Sequence, residues 1–172
     1  MGDMRETMDF ADLYDRHFTQ VYNYVRYRVR LPEAADDVTG RIFEAALEKL
    51  ATHDPSRAPL NVWLFAIARN AVTDWFRARD QREEVSLDEV AELPGKEPRI
   101  ENVMENKEES ALLLRAVFAL DPRARDIIAL KFSSGMTNRD IARVTGLGES
   151  NIGVIVYRSI KTLQETLAGK IL

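Results

Sequence analysis

"SNIGVIVYRSIKTL" (residues 150–163) holds Gly153 and, within its first seven residues, four β-branched aliphatics, Ile152, Val154, Ile155 and Val156. Such a composition suits a core helix as readily as a surface one. Placed on a helix at about 100° per residue, the stretch divides cleanly. Ile152, Val156, Ser159, Ile160 and Leu163 gather on one side as a buried face. Ser150, Val154, Tyr157, Arg158 and Lys161 fall opposite, with Asn151 and Gly153 at the edges. Upstream, "DPRARDIIALKFSSGMTNRDIARV" (121–144) reads as two short helices. Asp121 is placed to cap the first, with Pro122 in its opening turn. Gly135 ends that helix and Thr137 caps the next. Asp140 stands in the capping-box position, and Met136 and Ile141 have the spacing of a hydrophobic staple. After the "TGLGES" turn (145–150), the quoted stretch takes the place of the second helix of a helix-turn-helix.

The outward face has usable chemistry. Ser150 and Asn151 can hydrogen-bond base edges and Val154 can meet a thymine methyl. Tyr157, Arg158 and Lys161 can reach phosphates. Positive charge is sparse, and only Arg158 offers a bidentate contact to guanine, worth about 1–3 kcal/mol. Weak duplex binding is therefore expected of this unit alone. On these residues by themselves, a DNA-reading helix and a plain packing helix stand level.

The remainder of the chain also has helical spacing. Phe10, Leu13, Tyr14, Phe18, Val21, Tyr22, Val25 and Val29 recur at three and four residues. Pro32 suits the start of a second helix, with Glu33, Asp36 and Asp37 near its positive end and Val38, Ile42, Ala46 and Leu50 as its stripe. "THDPSRAPLN" (52–61) is a loop, and a third helix is expected from about Leu60 to Arg79. Residues 83–109 carry ten acids, three bases, Pro94, Gly95 and Pro98. That composition reads as a solvated linker. The expected fold is all-α: a helical domain over 1–82, an acidic linker over 83–109, and a helix-turn-helix domain over 110–172. The chain's net charge of −4 is misleading, because the linker alone contributes −7 and the rest is net positive.

Several classes are disfavoured. There are no cysteines among the 172 residues, which removes disulfides and thiolate chemistry. The opening "MGDMRETMDF" lacks the apolar core of a signal peptide, and no run has the length of a membrane span. His17 and His53, the two histidines, accompany no triad order, phosphate loop or metal-ligand spacing, so neither a catalytic site, a metal nor a cofactor is expected.

The second informative stretch is "NVWLFAIARNAVTDWFRARDQR" (61–82). It interleaves Trp63, Phe65, Trp75 and Phe76 with Arg69, Arg77, Arg79 and Arg82, and sets Asn70 and Asp74 one turn apart. Single-stranded DNA binding uses such a mixture, with rings stacking on unpaired bases and arginines following the backbone. Trp75 alone is better read as core.

Together, "DDVTGRIFEAALEKL", "VWLFAIARNAVTDWFR", the acidic linker and "LDPRARDIIALKFSSGMTNRDIARVTGLGESNIGVIVYRSIKTL" resemble a bacterial RNA polymerase sigma factor of the extracytoplasmic-function group. The likeness spans about residues 9–82 and 109–167. It implies a cytoplasmic protein that binds core RNA polymerase and promoter DNA, and that an anti-sigma factor often restrains. By resemblance, Asp36, Asp37, Arg41 and Phe43 face the polymerase. Trp63, Arg69, Asn70, Asp74 and Arg77 engage the minus-10 element, where a base is flipped. Ser150, Asn151, Val154, Tyr157, Arg158 and Lys161 face the minus-35 element. Two departures stand out: Gly40-Arg41 where the family usually has Gln-Glu, and Gly153 and Ile155 where basic residues are common. The competing reading is a helix-turn-helix regulator that acts without polymerase; it leaves the aromatic–arginine stretch without a role.

Overall fold

The structure, a computed structural model, describes residues 9–85 and 107–171. Seven α-helices and one short 3-10 turn make up the described residues, with no strand among them. Helices α1 (Phe10–Arg28), α2 (Pro32–Lys49) and α3 (Leu60–Val85) form one bundle, with the 3-10 turn Leu50–Thr52 after α2. Helices α4 (Lys107–Ala119), α5 (Pro122–Ser134), α6 (Asn138–Thr145) and α7 (Glu149–Ile171) form the other.

The local signals act as their chemistry dictates. Pro32 opens α2, where its missing N–H costs nothing. The Asp121 carboxylate accepts from the Ala124 amide at 3.0 Å and starts α5. The Thr137 hydroxyl accepts from the Asp140 amide at 3.2 Å and starts α6. The return half of the expected capping box differs. The Thr137 hydroxyl donates to the Asp140 carboxylate at 2.9 Å, because aspartate is one methylene too short to reach the cap's own amide comfortably. Met136 and Ile141, the expected staple, are both buried.

Two boundaries extend past their expected places. Helix α3 continues six residues beyond Arg79, since Asp80 to Val85 contains neither glycine nor proline and is rich in helix formers. Helix α4 begins at Lys107, with Glu108 and Glu109 in its first turn where the helix dipole favours acids. The expected linker therefore runs into helix at both ends, and its middle, 86–106, lies outside the described residues.

Two glycines make opposite predictions. Gly146 ends α6 at φ +76°, a left-handed conformation that costs an L-residue about 1–2 kcal/mol. Gly40 lies inside α2, exposed, with nothing within 4 Å of an added Cβ. Gly146→Ala is expected to lower the urea midpoint of unfolding. Gly40→Ala is expected to raise it, by about 1 kcal/mol of stability.

The two bundles are not separate beads. Helix α5 is buried nearly all round. Ala124 and Ile128 turn into a core with Ala116, Val117, Leu120 and Leu163. Ile127, Ala129 and Leu130 join a larger core that also holds Leu13, Val21, Tyr24, Val25 and Phe65 from the first bundle. Among the described residues, the most extensive helix–helix contact is between α1 and α5.

Candidate nucleic-acid and polymerase interfaces

The loop between α2 and α3 is held in shape by its own side chains. The Asp54 carboxylate accepts from the Ser56 amide at 2.9 Å and from its hydroxyl at 2.6 Å. The His53 Nε2 lies 2.9 Å from the Ala58 carbonyl oxygen, and its ring lies 5.1 Å from that of Trp63. His53 is therefore a buttress for Trp63. Sequence reasoning gives His53 no catalytic or metal role; its place beside Asp54 in a proline-bearing loop is the signal for a structural one.

Along α3, positions 63, 70, 74 and 77 fall within about 60° of one another. Trp63 is half-buried, while Asn70, Asp74 and Arg77 are exposed. The Asp74–Arg77 pair is 3.9 Å apart and both side chains are about three-quarters exposed. Such a pair contributes little, so a phosphate can readily compete for Arg77. Ring, amide, acid and guanidinium thus line one strip.

The other members of the aromatic–arginine stretch go elsewhere. Phe65 is fully buried, edge-on to Tyr24 at 5.8 Å, and cannot stack on a base. Trp75 and Phe76 pack edge-to-face at 5.0 Å, with Arg79 over the Trp75 ring and Arg28 over the Phe76 ring. Trp75 is half-buried, in keeping with its reading as core. Arg69 turns off the strip by about 100°, and its Nε donates to the Asp126 carboxylate of α5 at 2.8 Å.

Helix α7 answers the question posed by residues 150–163. Ile152, Val156, Ser159 and Leu163 are buried, and Ile155 and Ile160 are partly so. Ser150, Asn151, Val154, Tyr157, Arg158 and Lys161 are all exposed, Tyr157 at 71%. Gly153 sits against Asn138 of α6, whose amide nitrogen would be 3.7 Å from an added Cβ. The helix is both things at once: a core helix on one side and a free polar face on the other.

The third face lies on α1 and α2. Asp36, Asp37 and Arg41 are exposed. Asp36 stands beside Tyr22 and Arg26; burial, then this neighbouring carboxylate, hold the Tyr22 phenol above its ordinary range. Phe43 is placed differently from the expectation: it is 4% exposed, covered by Tyr14 at 4.8 Å and Phe18 at 6.0 Å. The surface is made instead by Tyr14, Phe18 and Leu47, at 40%, 36% and 54% exposure. Phe10, Tyr14, Phe18 and Tyr22 form a continuous row of rings at one-turn spacing, with centroids 6.2, 5.1 and 6.0 Å apart. Helical spacing puts these rings on one face of α1 without telling how much of that face stays open. A four-fold aromatic repeat on one helix, more ring than one stripe needs for packing, was the missed signal.

Comparison with known proteins fits this layout. Residues 13–82 match the family described as Sigma-70 region 2, and residues 110–163 match Sigma-70, region 4. The ECF RNA polymerase sigma factor BldN of Streptomyces coelicolor is 34% identical over 158 residues, covering 92% of this chain and 60% of BldN. The ECF RNA polymerase sigma factor RpoE of Cereibacter sphaeroides is 30% identical over 166 residues, covering 96% of this chain and 90% of RpoE. Among solved structures, the sigma factor RpoE of Bartonella quintana, in complex with the anti-sigma factor NepR, shares the fold at a TM-score of 0.77 and 22% identity, over 93% of this chain and 97% of that one. CnrH, in complex with the cytosolic domain of CnrY, matches at a TM-score of 0.65 and 26% identity, over 98% and 91%.

Proposed function

We propose that this chain, which belongs to the extracytoplasmic-function family of RNA polymerase sigma factors, directs polymerase to promoters by dividing the work among three faces. The α3 strip of Trp63, Asn70, Asp74 and Arg77 takes the unpaired minus-10 strand. Flipping a base costs a few kcal/mol of stacking, which a site built beforehand offsets. The Asp54–Ser56 turn and the His53 buttress supply that preorganisation without waiting for DNA. The outward face of α7 takes the minus-35 duplex, with Arg158 and Lys161 on phosphates or base edges. The Tyr14–Phe18–Leu47 surface, rimmed by Asp36, Asp37 and Arg41, takes the polymerase, with Phe43 as the support beneath it.

The single observation that carries this reading is the exposed α3 strip, because a regulator that bound only duplex DNA would have no use for it. The deciding experiment adds the protein to core polymerase and probes candidate promoters for unpaired thymines with permanganate. Opening that depends on the protein supports the reading, whereas duplex binding that needs no polymerase and opens no promoter would favour the helix-turn-helix regulator.

Arg158→Ala is expected to weaken minus-35-dependent binding by about 1–3 kcal/mol if it reads a base. If it holds only a phosphate, the loss is uniform across sequences and the salt slope falls by about one. Footprints over a promoter series at two salt concentrations separate these cases.

Cytoplasmic action follows from the same role, and no described helix is long and apolar enough to cross a membrane. Restraint by an anti-sigma factor is part of the proposal too, supported by the bound partners named for the related Bartonella and CnrH structures. The three exposed faces are the surfaces such a partner would cover.

A further inference from the structure

We propose that the cleft bordered by α1, α3 and α5 is a binding site for a doubly charged phosphate group, free or carried on a small monoester. The cleft has a volume of about 300 Å³, at the lower end of the range for small-molecule sites. Arg28 of α1, Arg69 of α3 and Arg123 of α5 line it, and Asp126 is the one acid among its lining residues. Three guanidiniums therefore share one carboxylate, which leaves two positive charges uncompensated. A monoanion would neutralise one of them. A phosphate monoester, at about −1.5 to −2 charges near neutral pH, neutralises both. Pro122, Ile127 and Leu147 add an apolar wall on which the organic part of a monoester can rest.

Two of the three cations are already aimed. One Asp126 oxygen accepts from Arg28 Nη1, and the other accepts from Arg69 Nε at 2.8 Å. Arg28 is held further by the Tyr24 and Phe76 rings, whose centroids lie 6.0 and 5.6 Å from its guanidinium carbon. Among the described residues, no other nitrogen of either guanidinium makes a hydrogen bond, so each keeps donors for a ligand. Their side-chain ordering belongs to folding and does not weaken binding. Arg123 is different. It is exposed and makes no hydrogen bond or ion pair among the described residues. It stands in the first turn of α5, which contains no acid, at the helix end whose dipole favours anions and disfavours cations. An anion seated between Arg123, Arg28 and Arg69 removes that conflict and takes the charge-assisted hydrogen bonds with which arginines hold phosphate. None of these residues belongs to the Trp63–Arg77 strip, the outward face of α7 or the Tyr14–Phe18–Leu47 surface.

The test is a calorimetric titration of the full chain in about 0.15 M potassium chloride, so that a monoanion competes throughout. The probes are inorganic phosphate, adenosine 5′-monophosphate and, as the probe without phosphate, adenosine. Saturable binding of a phosphate probe is expected, with none of adenosine. Arg123→Ala is expected to weaken it by about ten-fold or more, the scale of a lost charge-assisted hydrogen bond. The melting temperature of the ligand-free protein should not fall, because Arg123 supports no contact of the fold. Arg123→Lys keeps the charge without the planar fork and should fall between wild type and alanine. Arg139→Ala removes an exposed arginine that does not line the cleft and should leave the affinity within about two-fold. Tighter binding of the nucleotide than of inorganic phosphate identifies a monoester as the source of the group; equal affinities identify free phosphate. No saturable binding of either phosphate probe overturns the site. Equal weakening by Arg123→Ala and Arg139→Ala also overturns it, because a diffuse positive field would then replace a built cleft.

Discussion

Replacing Trp63 and Asn70 together by alanine is expected to lower promoter opening at least ten-fold while leaving capture of core polymerase at the wild-type level. One stacked base is worth about 1–3 kcal/mol and a hydrogen bond about 0.5–1.5 kcal/mol more. Their joint loss corresponds to about a ten- to thousand-fold drop in open complexes. Permanganate reactivity of minus-10 thymines gives the readout, and polymerase pull-down gives the control. Trp75→Ala is the informative comparison. Trp75 sits about 120° round the helix from Trp63 and packs on Phe76, so its loss should cost stability but not opening per folded molecule. Equal opening defects from both tryptophans would mean that the α3 strip has no special role.

The second large effect concerns the aromatic row. Leu47→Glu combined with Phe18→Ala should lower affinity for core polymerase by about thirty-fold or more, the scale of a lost interface anchor of at least 2 kcal/mol. Both side chains are exposed enough that folding survives; Leu47 is 54% exposed and Phe18 36%. Phe43→Ala should behave differently. It removes a buried ring and is expected to destabilise the fold by about 3–5 kcal/mol, so its polymerase defect tracks the melting temperature. Thermal denaturation alongside pull-down distinguishes a contact from a support. Wild-type polymerase affinity in the Leu47→Glu, Phe18→Ala variant would move the docking face away from α1 and α2.

These expectations differ from those of sequence reasoning at definite places. By resemblance Phe43 was expected to face the polymerase; the structure buries its ring beneath Tyr14 and Phe18, which are the exposed ones. Periodicity tells which residues share a face but not which neighbour covers that face. Similarly, Arg69 was grouped with Asn70 because they are adjacent in a basic–aromatic stretch. Adjacent residues on a helix point about 100° apart, and Arg69 follows its own direction to Asp126.

What the sequence settled by itself was local. The helices, the caps at Asp121 and Thr137, the stop at Gly146 and the two sides of residues 150–163 all depend on interactions within a turn or two of chain, and these are written in spacing. The tertiary structure alone decided the seam. Tyr24, Arg28 and Arg69 meet Asp126 across 102, 98 and 57 residues, and no repeat or motif encodes such a meeting. It exists because α5, apolar on two faces, can bury both only by lying between the bundles.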